Sequence, residues 1–363
     1  MDERCKNAIF RLRTPRIVGI ISLSPFRMSQ TFSVALAAIL SVFCIVGAGI
    51  FFRRTGRLTH ETEKPLLRLT VDLLMPCLIF DRVLRTDAFV ANPQNIWLPP
   101  LLGYGLVVVG ILIGLCVALL PKWQNGLETG KQRRTFAGCV GNYNYGFIPI
   151  PMVMVMFPDD ARILGVLFVQ NLGVEIAVWT IVLFTMIGKI DRQSLRHLIN
   201  GPSIAIVIAV SLNLLGNSRF IPAAFHEHVV PCFDFLFMTF HLLGAAGIPI
   251  SIILTGATFA DHFHRSEIKE RLSTTFKIAF WSILIRLAVM PAIFISLAVW
   301  LPCTMEIKQI LVIHGAMGSA IFPMVLAKHY GGDPKTAFDT IVSNSFISVL
   351  TLPIWIAVGL RLL

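Results

Sequence analysis

The run from Phe136 to Phe157 is apolar enough and long enough to cross a bilayer, yet its centre is poor helix. That centre reads Gly141-Asn142-Tyr143-Asn144-Tyr145-Gly146-Phe147-Ile148-Pro149-Ile150-Pro151. Inside a helix a glycine costs about 1 kcal/mol and a proline about 3 kcal/mol relative to alanine. Proline also removes a donor and clashes with the preceding turn. In hydrocarbon, freed backbone groups need partners within the protein or in a water-filled cavity. A broken helix at membrane depth therefore dictates what packs around it, and such a break points to a transporter's binding site.

The rest of the chain agrees with a membrane setting. Only 14% of the 363 residues are charged and 55% are hydrophobic, whereas a soluble domain carries roughly 25% charged residues. Mean hydropathy is +0.76. The expected fold class is an all-α polytopic membrane protein. Apolar segments fall at 33–52, 66–84, 96–120, 136–157, 163–187, 202–216, 231–258, 275–301, 308–328 and 337–360, which predicts ten transmembrane helices. Of these, 202–216 is the shortest. The division that follows is a basic N-terminal extension (1–32), a first five-helix unit (33–188), a connector (189–201) and a second five-helix unit (202–363). Met28 is an alternative start, which would leave residues 1–27 outside the protein.

Charge placement gives a topology. The loops 53–68, 121–134, 189–197, 260–277 and 328–336 hold 18 lysines and arginines, and the opposite loops with the C-terminus hold 6. The richer side is expected to be cytoplasmic, which puts both termini on the non-cytoplasmic face of an inner or plasma membrane. The six basic residues of 1–27 run against this. The net charge of +11 then reads as a cytoplasmic-face charge and not as a nucleic-acid footprint. The seven cysteines are scattered without a CxxC pair, so neither a zinc site nor a disulfide framework is expected.

Five crossings per unit is an odd number, so two related units would insert with opposite topology. Leu74-Met75-Pro76-Cys77-Leu78-Ile79 resembles Gly247-Ile248-Pro249-Ile250-Ser251-Ile252, Pro151-Met152-Val153 matches Pro323-Met324-Val325, and Val169-Gln170-Asn171 matches Val342-Ser343-Asn344. The three matches keep one order and an offset of 172 to 173 residues, which argues for an internal repeat. The break is repeated as well, at His314-Gly315-Ala316-Met317-Gly318-Ser319-Ala320-Ile321-Phe322-Pro323. Broken fourth and ninth helices are expected to cross near the midplane of an inverted repeat. Their half-helix N-termini present unpaired N–H groups and about half a positive charge each, a natural seat for a carboxylate. The plainer alternative is that these glycines and prolines are kinks and packing residues, which membrane helices contain more often than soluble ones.

At these residues the chain resembles the auxin efflux carrier family, which includes bacterial carboxylate transporters and plant auxin carriers. The resemblance covers about residues 30–363 and rests on Leu74-Met75-Pro76-Cys77-Leu78-Ile79-Phe80, on Asn144 to Pro151, on Val325-Leu326-Ala327-Lys328-His329-Tyr330-Gly331-Gly332-Asp333 and on Ser348 to Trp355. It implies ten helices in two inverted repeats, crossing of the fourth and ninth, and export or exchange of organic anions. The chain departs from the family pattern at Pro149, where a small residue is usual, and at Gly318, where many members carry a proline that falls later here, at Pro323.

Substrate is expected to meet Asn142, Asn144, Tyr145, Pro151, Asn171, Gly318, Ser319, Pro323 and Asn344, although the asparagines serve equally well to satisfy broken backbone. Ionisable residues within membrane segments are expensive and are functional candidates by default. Asp72, Glu175, His241, Arg286 and His314 are the candidates for a coupling ion or a charge partner, with H+ or Na+ as the ion. His226-Glu227-His228 and His262-Phe263-His264 lack the further ligands of a zinc site, and no hydrolase or nucleotide-binding motif is present. A secondary carrier for small organic anions is therefore expected, with no cofactor and no catalytic residue. Its expected partners are the substrate, the lipid bilayer and a second copy in a homodimer. A sodium-coupled organic anion symporter and a non-transporting membrane sensor or scaffold are the alternatives.

Overall fold

A computed structural model describes residues 25–146, 148–158, 160–188, 199–216, 234–262 and 272–363. Among them there is no β-strand. Among the described residues five helices are long and apolar enough to cross a membrane: Gln94–Ala118, Ala161–Ile187, Asp234–Thr258, Phe276–Trp300 and Pro334–Leu362. Gly201–Gly216 is apolar and shorter. Pro25–Arg54 and the run His60–Leu69, Thr70–Leu74 and Met75–Leu84 complete the first half. His226, Glu227, His228, Phe263 and His264 lie outside the described residues.

Helices pack closely where small residues let backbones meet, as expected where lipid gives no hydrophobic drive between helices. A Cβ added at Gly49 would lie 2.1 Å from the carbonyl oxygen of Ile253, and one at Gly256 would lie 2.1 Å from that of Val46. That contact joins Pro25–Arg54 to Asp234–His262. Within the first half, Gly110 of Gln94–Ala118 meets Gly141, and Gly114 meets Ala137, so this helix runs antiparallel along Gly130–Gly141. In the second half Phe294 packs on Gly315, joining Met290–Trp300 to Met305–Ala316.

The two halves also meet away from the breaks. Gly244 approaches Leu78 and Gly247 approaches Leu74, which sets Met75–Leu84 antiparallel to Asp234–His262. Asn213 closes the end of Met75–Leu84 by donating its amide to the carbonyls of Val83 (2.9 Å), Leu84 (3.3 Å) and Thr86 (2.7 Å). Carbonyls at a helix C-terminus have no partner within the helix, so such side-chain donors stabilise the end.

Among the described residues three helices contain a π-helical turn, at Thr70–Leu74, Val178–Val182 and Ile285–Val289. Two of these precede a proline, Pro76 and Pro291. Proline has no N–H for the carbonyl one turn back, which for Pro291 is that of Leu287. The Trp355 indole N–H takes that carbonyl at 2.7 Å, so the kink is bound to the last helix instead of being left open in hydrocarbon.

Candidate functional site at the crossing of two broken helices

The first broken helix runs as Gly130–Gly141, leaves helical geometry at Asn142, and resumes as Pro149–Met156. The second runs as Met305–Ala316, breaks at Met317, and resumes as Phe322–Tyr330. In both, the second half-helix starts with a proline in its first two positions, where the missing N–H costs nothing. The breaks do not merely occur at matching places; they bond to each other. Tyr143 and Ser319 form an isolated antiparallel bridge, in which Asn144 N–H donates to Gly318 O and Ala320 N–H to Asn142 O, both at 2.9 Å. The two breaks thus satisfy part of each other's exposed backbone.

Around this bridge the sequence candidates fall into groups. Asn344 is fully buried and accepts from Ser319 N–H at 2.9 Å. Its amide also lies 2.9 Å from Ser282 Oγ, 2.8 Å from Ser319 Oγ and 2.8 Å from Thr340 O. Gly318 is glycine for a local reason, since a Cβ there would sit 3.1 Å from Asn344 Oδ1 and 3.3 Å from Ser348 Oγ. Asn142 is also fully buried, yet neither its amide nitrogen nor its oxygen has a hydrogen-bond partner among the described residues. Asn171 is buried with its oxygen unpartnered in the same sense. Asn144, Pro151 and Pro323 are buried at the break or on the half-helices that follow it, and Tyr145 is half-buried.

The ionisable candidates separate. Arg286 and His314 are fully buried at the second break. Arg286 donates to the carbonyls of Met317 (2.8 Å) and His314 (3.1 Å), and its guanidinium lies over the rings of Tyr143 and Phe294. His314 Nδ1 lies 3.0 Å from Gln170 Nε2, and its ring is tilted against Tyr143. The Glu175 carboxylate accepts from the Tyr145 hydroxyl at 2.5 Å, the Trp179 indole at 2.9 Å and the Asn200 amide at 3.2 Å. Asp72, by contrast, is exposed. His241 sits away from the crossing, with Nδ1 at 3.1 Å from the buried carboxylate of Asp81. Asp81 also pairs with Arg82 and Arg85, each at 3.3 Å.

Tyr143, Gln170 and Ser282 contribute to the site without having been expected from the sequence, and Asp81, away from it, is the buried carboxylate that pairs with His241. Gln170 carried a signal, being polar beside Asn171 in an apolar run. Asp81 carried one too, with its own cations one and four residues on. At one end of the bundle His60, Glu63 and Asp261 offer ligand atoms within 4.8 Å of one another, a spacing a metal ion would accept. Arg53 already bonds both of those carboxylates, so a cation stands there as part of the chain.

Sequence comparisons give the family. A family model described as membrane transport protein matches residues 34–194 and 189–356. The chain belongs to that family, the auxin efflux carriers. An uncharacterized transporter of Methanothermobacter thermautotrophicus is 23% identical over 327 residues, covering 87% of this chain and 96% of its own length. An uncharacterized transporter of Methanocaldococcus jannaschii is 22% identical over 334 residues, covering 89% and 98%. As an auxin efflux carrier family member the chain is a membrane transporter with a helical fold.

Proposed function

We propose that the protein is a secondary carrier that moves small organic anions, mono- or dicarboxylates, by alternating access around the crossed breaks. Ten crossings in two inverted repeats, with both termini on the non-cytoplasmic face, are part of this reading. It is supported by the matching order of the two halves, each with a broken helix before its last long one. The observation that carries the reading is Asn142. A side-chain amide that is wholly buried and makes no bond costs roughly 1–3 kcal/mol, and buried polar groups in native proteins are nearly always partnered. An amide at the crossing that is kept unpaired is accounted for by a ligand that pairs with it. Among the described residues, the only formal charge fully buried at the crossing beside it is the guanidinium of Arg286, so the field there favours an anion. Asn144, Tyr145, Asn171, Ser319 and Asn344 shape the seat, and Glu175 and His314, which border it, are the groups we assign to proton movement if the cycle uses a proton.

The test is a thermal-shift screen of the detergent-purified protein against small mono- and dicarboxylates and indole-3-acetate, with and without Na+ and at two pH values. A ligand at 100 times its Kd stabilises by about 2.7 kcal/mol. Asn142→Ala is expected to fold as well as the parent, because it removes groups that have no partner. It is expected to weaken the carboxylate shift by about tenfold to a hundredfold in Kd, the range of a hydrogen bond to a charged group. A shift with neutral or cationic solutes and with no carboxylate would overturn the anion reading.

A further inference from the structure

Carbonyls freed at the C-terminal end of a discontinuous half-helix are where carriers with this kind of break hold a coupling cation. In the second broken helix that seat is already filled. Arg286 Nε donates to Met317 O at 2.8 Å, and Nη2 reaches His314 O at 3.1 Å and Gly315 O at 3.5 Å. These are the last carbonyls of Met305–Ala316 and the first beyond it. The guanidinium carbon is 5.2 Å from the centre of the Tyr143 ring and 5.6 Å from that of Phe294. Arg286 is fully buried, and no ion pair joins it to a carboxylate among the described residues. A buried charge without a counter-ion is costly. Here the negative end of the half-helix dipole, the carbonyls on Nε and Nη2 and two ring faces supply part of the compensation that sodium would draw from such a seat, while Nη1 is left without a partner among the described residues. At the 173-residue offset of the sequence matches, Arg286 falls against Ile113 in the first half.

We propose that Arg286 is a resident cation, tethered in the carbonyl seat of the second break, and that the carrier needs no sodium ion there. A guanidinium is not deprotonated in proteins, and its planar fork suits several fixed acceptors better than an ammonium does. The charge is therefore constant through the cycle and does not enter or leave with the substrate. This inference rests on taking the crossing as the transport centre, but its readout is cation binding and does not depend on which organic anion is carried.

The experiment compares melting of the purified parent, Arg286→Ala and Arg286→Lys in NaCl, choline chloride and low-millimolar guanidinium chloride at equal ionic strength. The parent is expected to melt at one temperature in sodium and choline. Arg286→Ala is expected to melt lower in choline and to be restored by guanidinium, which fits the vacated space, with an affinity at least about tenfold above any the parent shows, equivalent to 1.4 kcal/mol. Arg286→Lys is expected to lie between them. Sodium-specific stabilisation of the parent would overturn the proposal, and that arm decides the question even if Arg286→Ala cannot be purified. Equal response of Arg286→Ala to choline and guanidinium would overturn it as well. Loss of carboxylate binding with these cation results intact would count against the anion reading alone.

Discussion

Replacing Asn344 with alanine is expected to lower folding stability by about 2–4 kcal/mol and to abolish transport. The amide serves four partners at once: it accepts from Ser319 N–H and meets Ser282 Oγ, Ser319 Oγ and Thr340 O. All of this is inaccessible to water, with Asn344 and Ser282 fully buried and Ser319 2% exposed. Alanine leaves the Ser319 N–H unpaired in a low-dielectric interior, and an orphaned donor costs more than the bond it lost was worth. The effect reaches the crossing directly because Ser319 is the residue that bridges to Tyr143. Asn344→Asp separates the two functions of the side chain. It keeps the acceptor for Ser319 N–H but sets an oxygen against the carbonyl of Thr340, so it is expected to fall between alanine and the parent. Melting temperatures in detergent check the order, and an Asn344→Ala protein as stable as the parent would show that the second break is held by something else.

The other large effect is expected at Gly173. A methyl group there would be placed 1.9 Å from the carbonyl oxygen of Pro100 and 2.6 Å from its carbon. Both are backbone atoms of a packed helix and cannot rotate away. Overpacking usually costs 1–3 kcal/mol, and with backbone on both sides Gly173→Ala is expected at about 3 kcal/mol or above. The yield of monodisperse protein should fall with it. Gly105 lies on the same partner helix, Gln94–Ala118, and a Cβ there meets nothing within 4 Å. Gly105→Ala is expected to be neutral or to gain about 0.5–1 kcal/mol from backbone entropy. The pair controls for a general intolerance of alanine in these helices. If the two variants melted alike, close approach between Gln94–Ala118 and Ala161–Ala177 would not be what fixes their separation.

Both breaks were legible in the sequence because glycine, asparagine and proline inside an apolar run leave little else for the backbone to do. That they bond to each other through Tyr143 and Ser319 was not legible, since no local preference sets the register between segments more than 170 residues apart. The carboxylates of the second helical run, of which only Asp72 was a candidate, show a different limit. Asp72 and Asp81 lie on neighbouring stretches of one helical run, and the former is exposed while the latter is 2% exposed and paired with His241. The two carboxylates lie nine residues apart in a run broken by a π-helical turn and a proline, so sequence spacing alone does not tell which face each takes, and neighbours set it. Arg286 is a similar case. The sequence marks it as costly in the membrane, but only the fold puts it against the carbonyls of Met317 and His314.

Flux of an organic anion through the crossing is measured in proteoliposomes. Proteoliposomes containing the parent, or Asn142→Ala, would be loaded with a panel of labelled mono- and dicarboxylates, and efflux would be compared with protein-free vesicles. The account predicts that the parent releases at least one carboxylate faster than protein-free vesicles do, and that Asn142→Ala, equally folded, releases it at least about tenfold more slowly, the factor that 1.4 kcal/mol of lost binding represents. Equal rates from the parent and Asn142→Ala, or no carboxylate released above the protein-free rate, would contradict it.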